Sequence, residues 1–195
     1  MKDLLTSLKL LAVLTLLTGF AYPALTTGLA AALFPSQAAG SPVAAASGAT
    51  TPGGSRLIGQ EFKSPRYFWG RPSATPGAPY SPALSSGSNQ AASNPALVVA
   101  AAARVATLKA SDPAQDQPIP ADLVTASASG LDPDISLEAA RWQAPRIALT
   151  REIPLTEIEK MIEEKAQRRV LAFLGEPRVN VLELNMSLDR ISSGS

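Results

Sequence analysis

The most constraining feature is a run with no charged side chain, Leu10 to Phe34, in which 11 of 25 residues are Leu, Val or Phe. As a helix rising 1.5 Å per residue it spans roughly 37 Å, more than the ~30 Å hydrocarbon core of a bilayer. Those eleven side chains favour insertion by about 5 kcal/mol before Thr, Gly and Pro are counted. A cleaved secretory signal is the rival reading, since Lys2 and Lys9 precede the run and small residues follow it. A signal core has roughly 7–15 apolar residues, however, and this run is longer. It predicts an uncleaved membrane anchor.

Sidedness follows from the flanks. Lys2 and Lys9 lie before the run, offset by Asp3, and the next charge after it is Arg56. Cytoplasmic flanks collect Lys and Arg, so residues 1–9 are expected in the cytoplasm and everything after the span outside it. Thr15, Gly19, Pro23, Thr27 and Ala31 recur every four residues. Such a stripe of small side chains on one helix face lets a second helix approach closely. Pro23 is expected to kink the span unless neighbours or Thr hydroxyls satisfy the carbonyl it frees.

After the span come about 160 residues, enough for one modest domain. The chain has no Cys and no His, which excludes thiol chemistry, a Ser-His-Asp triad and an ordinary zinc site. Its net charge of +1 gives no basic footprint for nucleic acid. No P-loop, dinucleotide turn, Gly-x-Ser-x-Gly elbow or Ser-x-x-Lys pair occurs. Neither catalytic residues nor a metal site are expected.

Residues 35–54, uncharged and rich in Ala, Gly, Ser, Pro and Thr, read as a linker. The domain is assigned to 55–188 and a frayed tail to 189–195. Five of the ten aromatic residues fall between Phe62 and Tyr80 among Gly and Pro, predicting an irregular segment pinned by its rings. Tyr67, Phe68, Trp69 and Arg71 suit either a partner surface or a small core. A helix should follow, capped by Asn94 with Pro95 at its first position. Leu97, Ala101, Val105 and Leu108 form its inner face, and Lys109 sits in its last turn.

Leu123–Ser127 reads as a strand. Ser136 caps a further helix burying Leu137, Ala140 and Ile147, which Pro145 should kink or divide. A cation site at Asp132 and Asp134 would lack a further carboxylate nearby, so turn and capping roles are expected of the pair. A helix is expected from Leu155 to Ala172, with a Thr156/Glu159 capping box and an inner face of Ile158, Ile162, Ala166 and Val170, ended by Gly175. Val179–Leu184 reads as a last strand. The fold class is α+β: one transmembrane helix, then one small mixed domain.

Several stretches resemble the KdpC family, the C subunits of the Kdp potassium-transporting P-type ATPase. They are Gly54–Phe62 (GSRLIGQEF), Tyr67–Thr75 (YFWGRPSAT), Ser93-Asn94-Pro95, Asp122–Asp132 (DLVTASASGLD) and Glu176–Asn185 (EPRVNVLELN). Within the span, Gly19, Tyr22-Pro23, Thr26 and Phe34-Pro35 also agree. The family usually shows Tyr-Asn-Pro and Ser-Gly-Gly-Ser-Asn where this chain has Tyr80-Ser81-Pro82 and Ser85–Asn89.

The resemblance implies a non-catalytic subunit of a bacterial inner-membrane complex. In it a channel-like A subunit selects K⁺, a P-type B subunit hydrolyses ATP, and a small F peptide completes the assembly. ATP and K⁺ would be handled by that complex, with no cofactor bound directly here. A second role implied by the resemblance is a catalytic chaperone that raises ATP affinity. It would act through a Ser/Gly loop comprising Ser85, Ser86, Gly87, Ser88 and Gln90. An extracytoplasmic domain conflicts with direct ATP contact. A membrane-tethered binding module unrelated to transport is the third reading.

Overall fold

The structure is a computed structural model describing residues 2–44, 53–169, 171 and 173–192. The expected linker therefore lies partly outside the described residues, as do Val170, Ala172 and the last three residues. The chain divides into two compact units, Met1–Pro42 and Val43–Ser195.

In the first unit, helix continues from Lys2 to Leu33, with mean hydropathy 1.9 over its most apolar stretch and no residue of that stretch buried within the chain. It is built as α1 (Lys2–Leu16), a π-helical turn (Leu17–Ala21) and α2 (Tyr22–Leu33). Pro23 explains the turn. It has no N–H to give the Gly19 carbonyl, and in a regular α-turn its ring would press on that carbonyl. The ladder widens instead, and the Tyr22 N–H donates to the Leu17 carbonyl. The Thr26 hydroxyl donates to the Tyr22 and Pro23 carbonyls at 2.9 and 3.1 Å. Phe34 leaves the helix at φ −135°, as the residue before a proline tends to, and Pro35 opens the short α3 (Pro35–Ala38).

The second unit is organised around α6 (Leu137–Arg151), α7 (Leu155–Lys165) and α8 (Val181–Ser192). Two three-residue strands, Asp134–Ser136 and Arg178–Asn180, pair antiparallel with Ile135 opposite Val179. One apolar cluster joins Ile135, Ala139, Ile147, Ile158, Ile162, Val179, Leu184 and Leu188 to Phe68, Leu108 and Leu123. Each buried large side chain contributes about 1.5–3 kcal/mol. α4 (Pro95–Ser111) starts as expected: Asn94 Oδ1 accepts from the Ala96 N–H at 3.0 Å, and Pro95 occupies the first turn. Its inner face also holds, with Leu108 buried and Leu97, Ala101 and Val105 half-buried.

Ser136 caps α6 by accepting from the Ala139 N–H at 3.0 Å. Pro145 does not divide α6, which stays continuous to Arg151; the Arg141 carbonyl that loses its partner belongs to an exposed residue. Glu152 ends α6 in the left-handed region at φ 58°.

Several expectations are overturned. The Leu123–Ser127 strand is replaced by a short helix, α5 (Ala121–Val124), and the Asp122 carboxylate accepts from the Ser136 N–H at 2.8 Å. α7 has no capping box. Pro154 takes the cap position, so Thr156 already lies inside the first turn, where its hydroxyl cannot cap. α7 also stops at Lys165 rather than Ala172. Gln167 leaves to pair with Arg178, N–H to carbonyl in both directions at 2.8 and 3.1 Å, so Gly175 ends no helix. Ile158 and Ile162 do face the core.

The last expected strand reaches only Asn180, whose Oδ1 accepts from the Glu183 N–H at 3.1 Å and so starts α8 in strand's place. The expected fray at Asp189 is instead a buried turn of α8.

Candidate functional site: the clamped aromatic segment and its cavity

The aromatic segment has no regular secondary structure from Gln60 to Ser81, so side chains must satisfy its backbone. Two buried amides do this. Asn185 Oδ1 accepts from the Phe68 N–H at 2.8 Å, and its Nδ2 donates to the Phe68 carbonyl at 3.0 Å. Gln143 treats Trp69 the same way, at 2.8 and 3.1 Å. Each amide imitates a β-partner, with one on α8 and the other on α6.

Two arginines of α6 extend the clamp. Arg146 donates to the Pro65 and Tyr67 carbonyls at 2.6 and 3.1 Å and stacks over the Trp69 ring at 4.4 Å. Burial pushes its pKa down to about 10, with the Asp112 carboxylate acting in the opposite direction. Arg151 lies over the Tyr67 ring at 4.7 Å, donates to the Arg66 carbonyl at 2.7 Å and pairs with Asp189 at 2.9 Å. The Tyr67 hydroxyl donates to the same carboxylate at 3.0 Å. Sequence reading missed Gln143, Arg146, Arg151, Asn185 and Asp189. The available signal was polar residues three and four apart, Gln143/Arg146 and Asn185/Asp189, on helix faces that are otherwise apolar.

The four candidate surface residues separate. Phe68 is wholly buried in the core and has no face to give a partner. Tyr67, Trp69 and Arg71 are half-buried. Arg71 bridges to Asp132 at 3.2 Å, and Asp132 Oδ1 accepts from the Asp134 N–H, the turn role expected of it. Asp134 pairs instead with Arg178 at 2.8 Å, and desolvation raises its pKa.

Tyr80 closes the segment by donating its hydroxyl to the Arg71 carbonyl. Burial, followed by the charges of Asp132 and Glu61, pushes its pKa up to about 12. Its ring explains Gly59: a Cβ there would lie 2.4 Å from Tyr80 Cε1 and 2.7 Å from the Asp132 carbonyl.

Between the aromatic segment and α4 lies a cavity of about 300 Å³. Its lining includes Phe62, Trp69, Tyr80, Leu108, Lys63 and Arg104.

The Ser/Gly loop is used internally. The Ser86 N–H and the Ser85 hydroxyl both donate to the Ser129 carbonyl at 3.0 Å, and a Cβ on Gly87 would meet the Ala128 carbonyl at 2.7 Å. Ser88 is exposed and Gln90 half-buried. Thr15, Gly19, Pro23 and Thr27 are exposed along the first helix, as is Ala31, with Gly19 inside the π-turn.

Comparison with known proteins decides the lineage. The profile of the family described as "K+-transporting ATPase, c chain" matches residues 4–190. The chain belongs to the KdpC family. Among relatives, the "Potassium-transporting ATPase KdpC subunit" of Methylibium petroleiphilum is 55% identical over 190 residues, covering 97% of this chain and 98% of its own. The subunit of the same name from Yersinia pseudotuberculosis is 53% identical, covering 97% and 93%. That of Herpetosiphon aurantiacus is 50% identical, covering 96% and 95%. Membership of the KdpC family makes this chain a subunit of a potassium-transporting ATPase. The match runs through both the apolar helix and the clamped domain.

Proposed function

We propose that this chain is the non-catalytic accessory subunit of an ATP-driven potassium uptake complex. Its apolar helix assembles the complex from within the bacterial inner membrane, and its domain does so from the extracytoplasmic side. The carrying observation is the family match across residues 4–190, which covers helix and domain without a break. On this reading the partners are a channel-like A subunit, a P-type B subunit that performs the ATP chemistry, and a small F peptide. Two features support a structural role. Gln143, Arg146 and Arg151 are engaged in holding the 65–69 backbone, and the Asp189 carboxylate accepts from Arg151 and from the Tyr67 hydroxyl. The Ser/Gly loop spends its Ser85 and Ser86 groups on Ser129.

The chain has no cysteine, so a single Ser88→Cys gives one defined site for thiol labelling. In intact cells an impermeant thiol reagent should label it, and ATPase should co-purify with the chain. Labelling only after the inner membrane is opened would place Ser88 inside and favour the chaperone role. A chain that purifies without ATPase would sink the subunit reading altogether.

A further inference from the structure

An apolar helix face that carries no charge is ordinarily covered, and the outer face of α4 is not. Its inner face packs on the domain. Its outer face presents two adjacent rows at four-residue spacing, Val98, Ala102, Ala106, Ala110 and Pro95, Val99, Ala103, Thr107, all exposed. Val98 and Val99 are 65% and 68% exposed. Neither row carries a charge. Two such rows are the ridges that a second helix needs to pack at about 8–10 Å, and their small side chains favour the short end of that range.

An independent observation lies beside them. Thr107 stands in one exposed row and also lines the 300 Å³ cavity. Among the described residues the cavity's cations are Lys63, Arg71 and Arg104, against one carboxylate, Glu61. Lys63 pairs with Glu61 at 3.1 Å and Arg71 with Asp132 at 3.2 Å. Arg104 donates to the Val124 carbonyl at 2.8 Å but meets no carboxylate among the described residues. Burial lowers its pKa from the usual arginine value. A half-buried guanidinium that has one carbonyl partner keeps donors to spare, and a charge-assisted bond to a carboxylate is the stronger use of them.

We infer that α4 and this cavity together form a docking surface for another protein subunit, one that lays an uncharged apolar face on α4 and delivers a carboxylate side chain to Arg104. This deepens the proposed accessory role and rests on it. A free small anion would explain the cavity but not the rows outside it, which run along a helix of about 25 Å. A lipid surface is favoured by bulky apolar side chains ringed with Lys and Arg. These rows are Ala, Val, Thr and Pro.

The test places a photo-crosslinking amino acid at Ala106 in the full chain, expressed with the other subunits of the ATPase, and a control at exposed Leu149 on α6. Illumination should join Ala106, and not Leu149, to another subunit of the co-purified complex. Arg104→Glu should lower that adduct about tenfold, while Arg104→Lys, keeping the charge, should hold most of it. Resistance to proteolysis establishes that each variant is folded. Adducts to lipid or to a second copy, or no adduct while ATPase still co-purifies, would overturn the surface and leave the accessory role standing. An adduct undiminished by Arg104→Glu would overturn the carboxylate. Loss of ATPase co-purification from the unaltered chain would remove the reading beneath both.

Discussion

Replacing Asn185 isolates the clamp from ordinary packing. Its amide serves the N–H and carbonyl of Phe68, a residue with no solvent access. Asn185→Ala strands both backbone groups. Each stranded group costs about 1–3 kcal/mol, so the loss for the two should be roughly 2–6 kcal/mol. Asn185→Leu fills the same space with apolar atoms. When both partners of a hydrogen bond can be made apolar, such a swap is nearly neutral, but backbone partners cannot be removed. Leu should therefore destabilise as much as Ala. In full-length protein in detergent, the melting temperature followed by the fluorescence of Trp69 and Trp142 should fall by about 4–24 °C for both variants. A Leu variant within 2 °C of the parent would show that burial alone, and not amide pairing, holds the aromatic segment.

Three further outcomes follow from the geometry. Burial holds the proton on Tyr80 to about pH 12 in the folded state, against about 10 for an ordinary tyrosine, so the unfolded chain loses that proton first and stability falls as pH rises above about 10. Tyr80→Phe should flatten that alkaline decline in pH-dependent melts, at a cost of about 1 kcal/mol near neutrality from the lost bond to the Arg71 carbonyl. Gly59→Ala forces a Cβ against both the Tyr80 ring and the Asp132 carbonyl and should destabilise by about 1–3 kcal/mol in urea unfolding. Gly19→Leu with Thr27→Leu should reduce recovery of intact complex from membranes, read by co-purifying ATPase activity, while leaving the melting of the second unit unchanged.

Much of the local architecture was legible because one signal settled each element. Asn94-Pro95 fixed the start of α4, Ser136 that of α6, and the spacing of Ile158 and Ile162 gave the buried side of α7. The errors came where two readings shared the same residues. Val179–Leu184 is apolar enough for a strand or a buried helix, and pairing with Asp134–Ser136 fixed how far the strand runs. The amphipathic period of α7 continues past Lys165, yet the exchange between Gln167 and Arg178 draws the chain out of it. The aromatic segment was rightly expected to be irregular and pinned. Its pins were invisible because they are polar groups contributed from α6 and α8. The open choice between core and surface for its rings resolves residue by residue, with Phe68 inward and Tyr67 and Trp69 between.

The clamp also orders events in time. Phe68 and Asn185 are 117 positions apart, so the backbone around Phe68 cannot be paired until α8 has been synthesised. The apolar helix leaves the ribosome long before that and is free to enter the bilayer while the aromatic segment is still unsatisfied. Until then the Phe68 ring lacks the core that later buries it, and transiently exposed apolar surface of this kind is what chaperones bind.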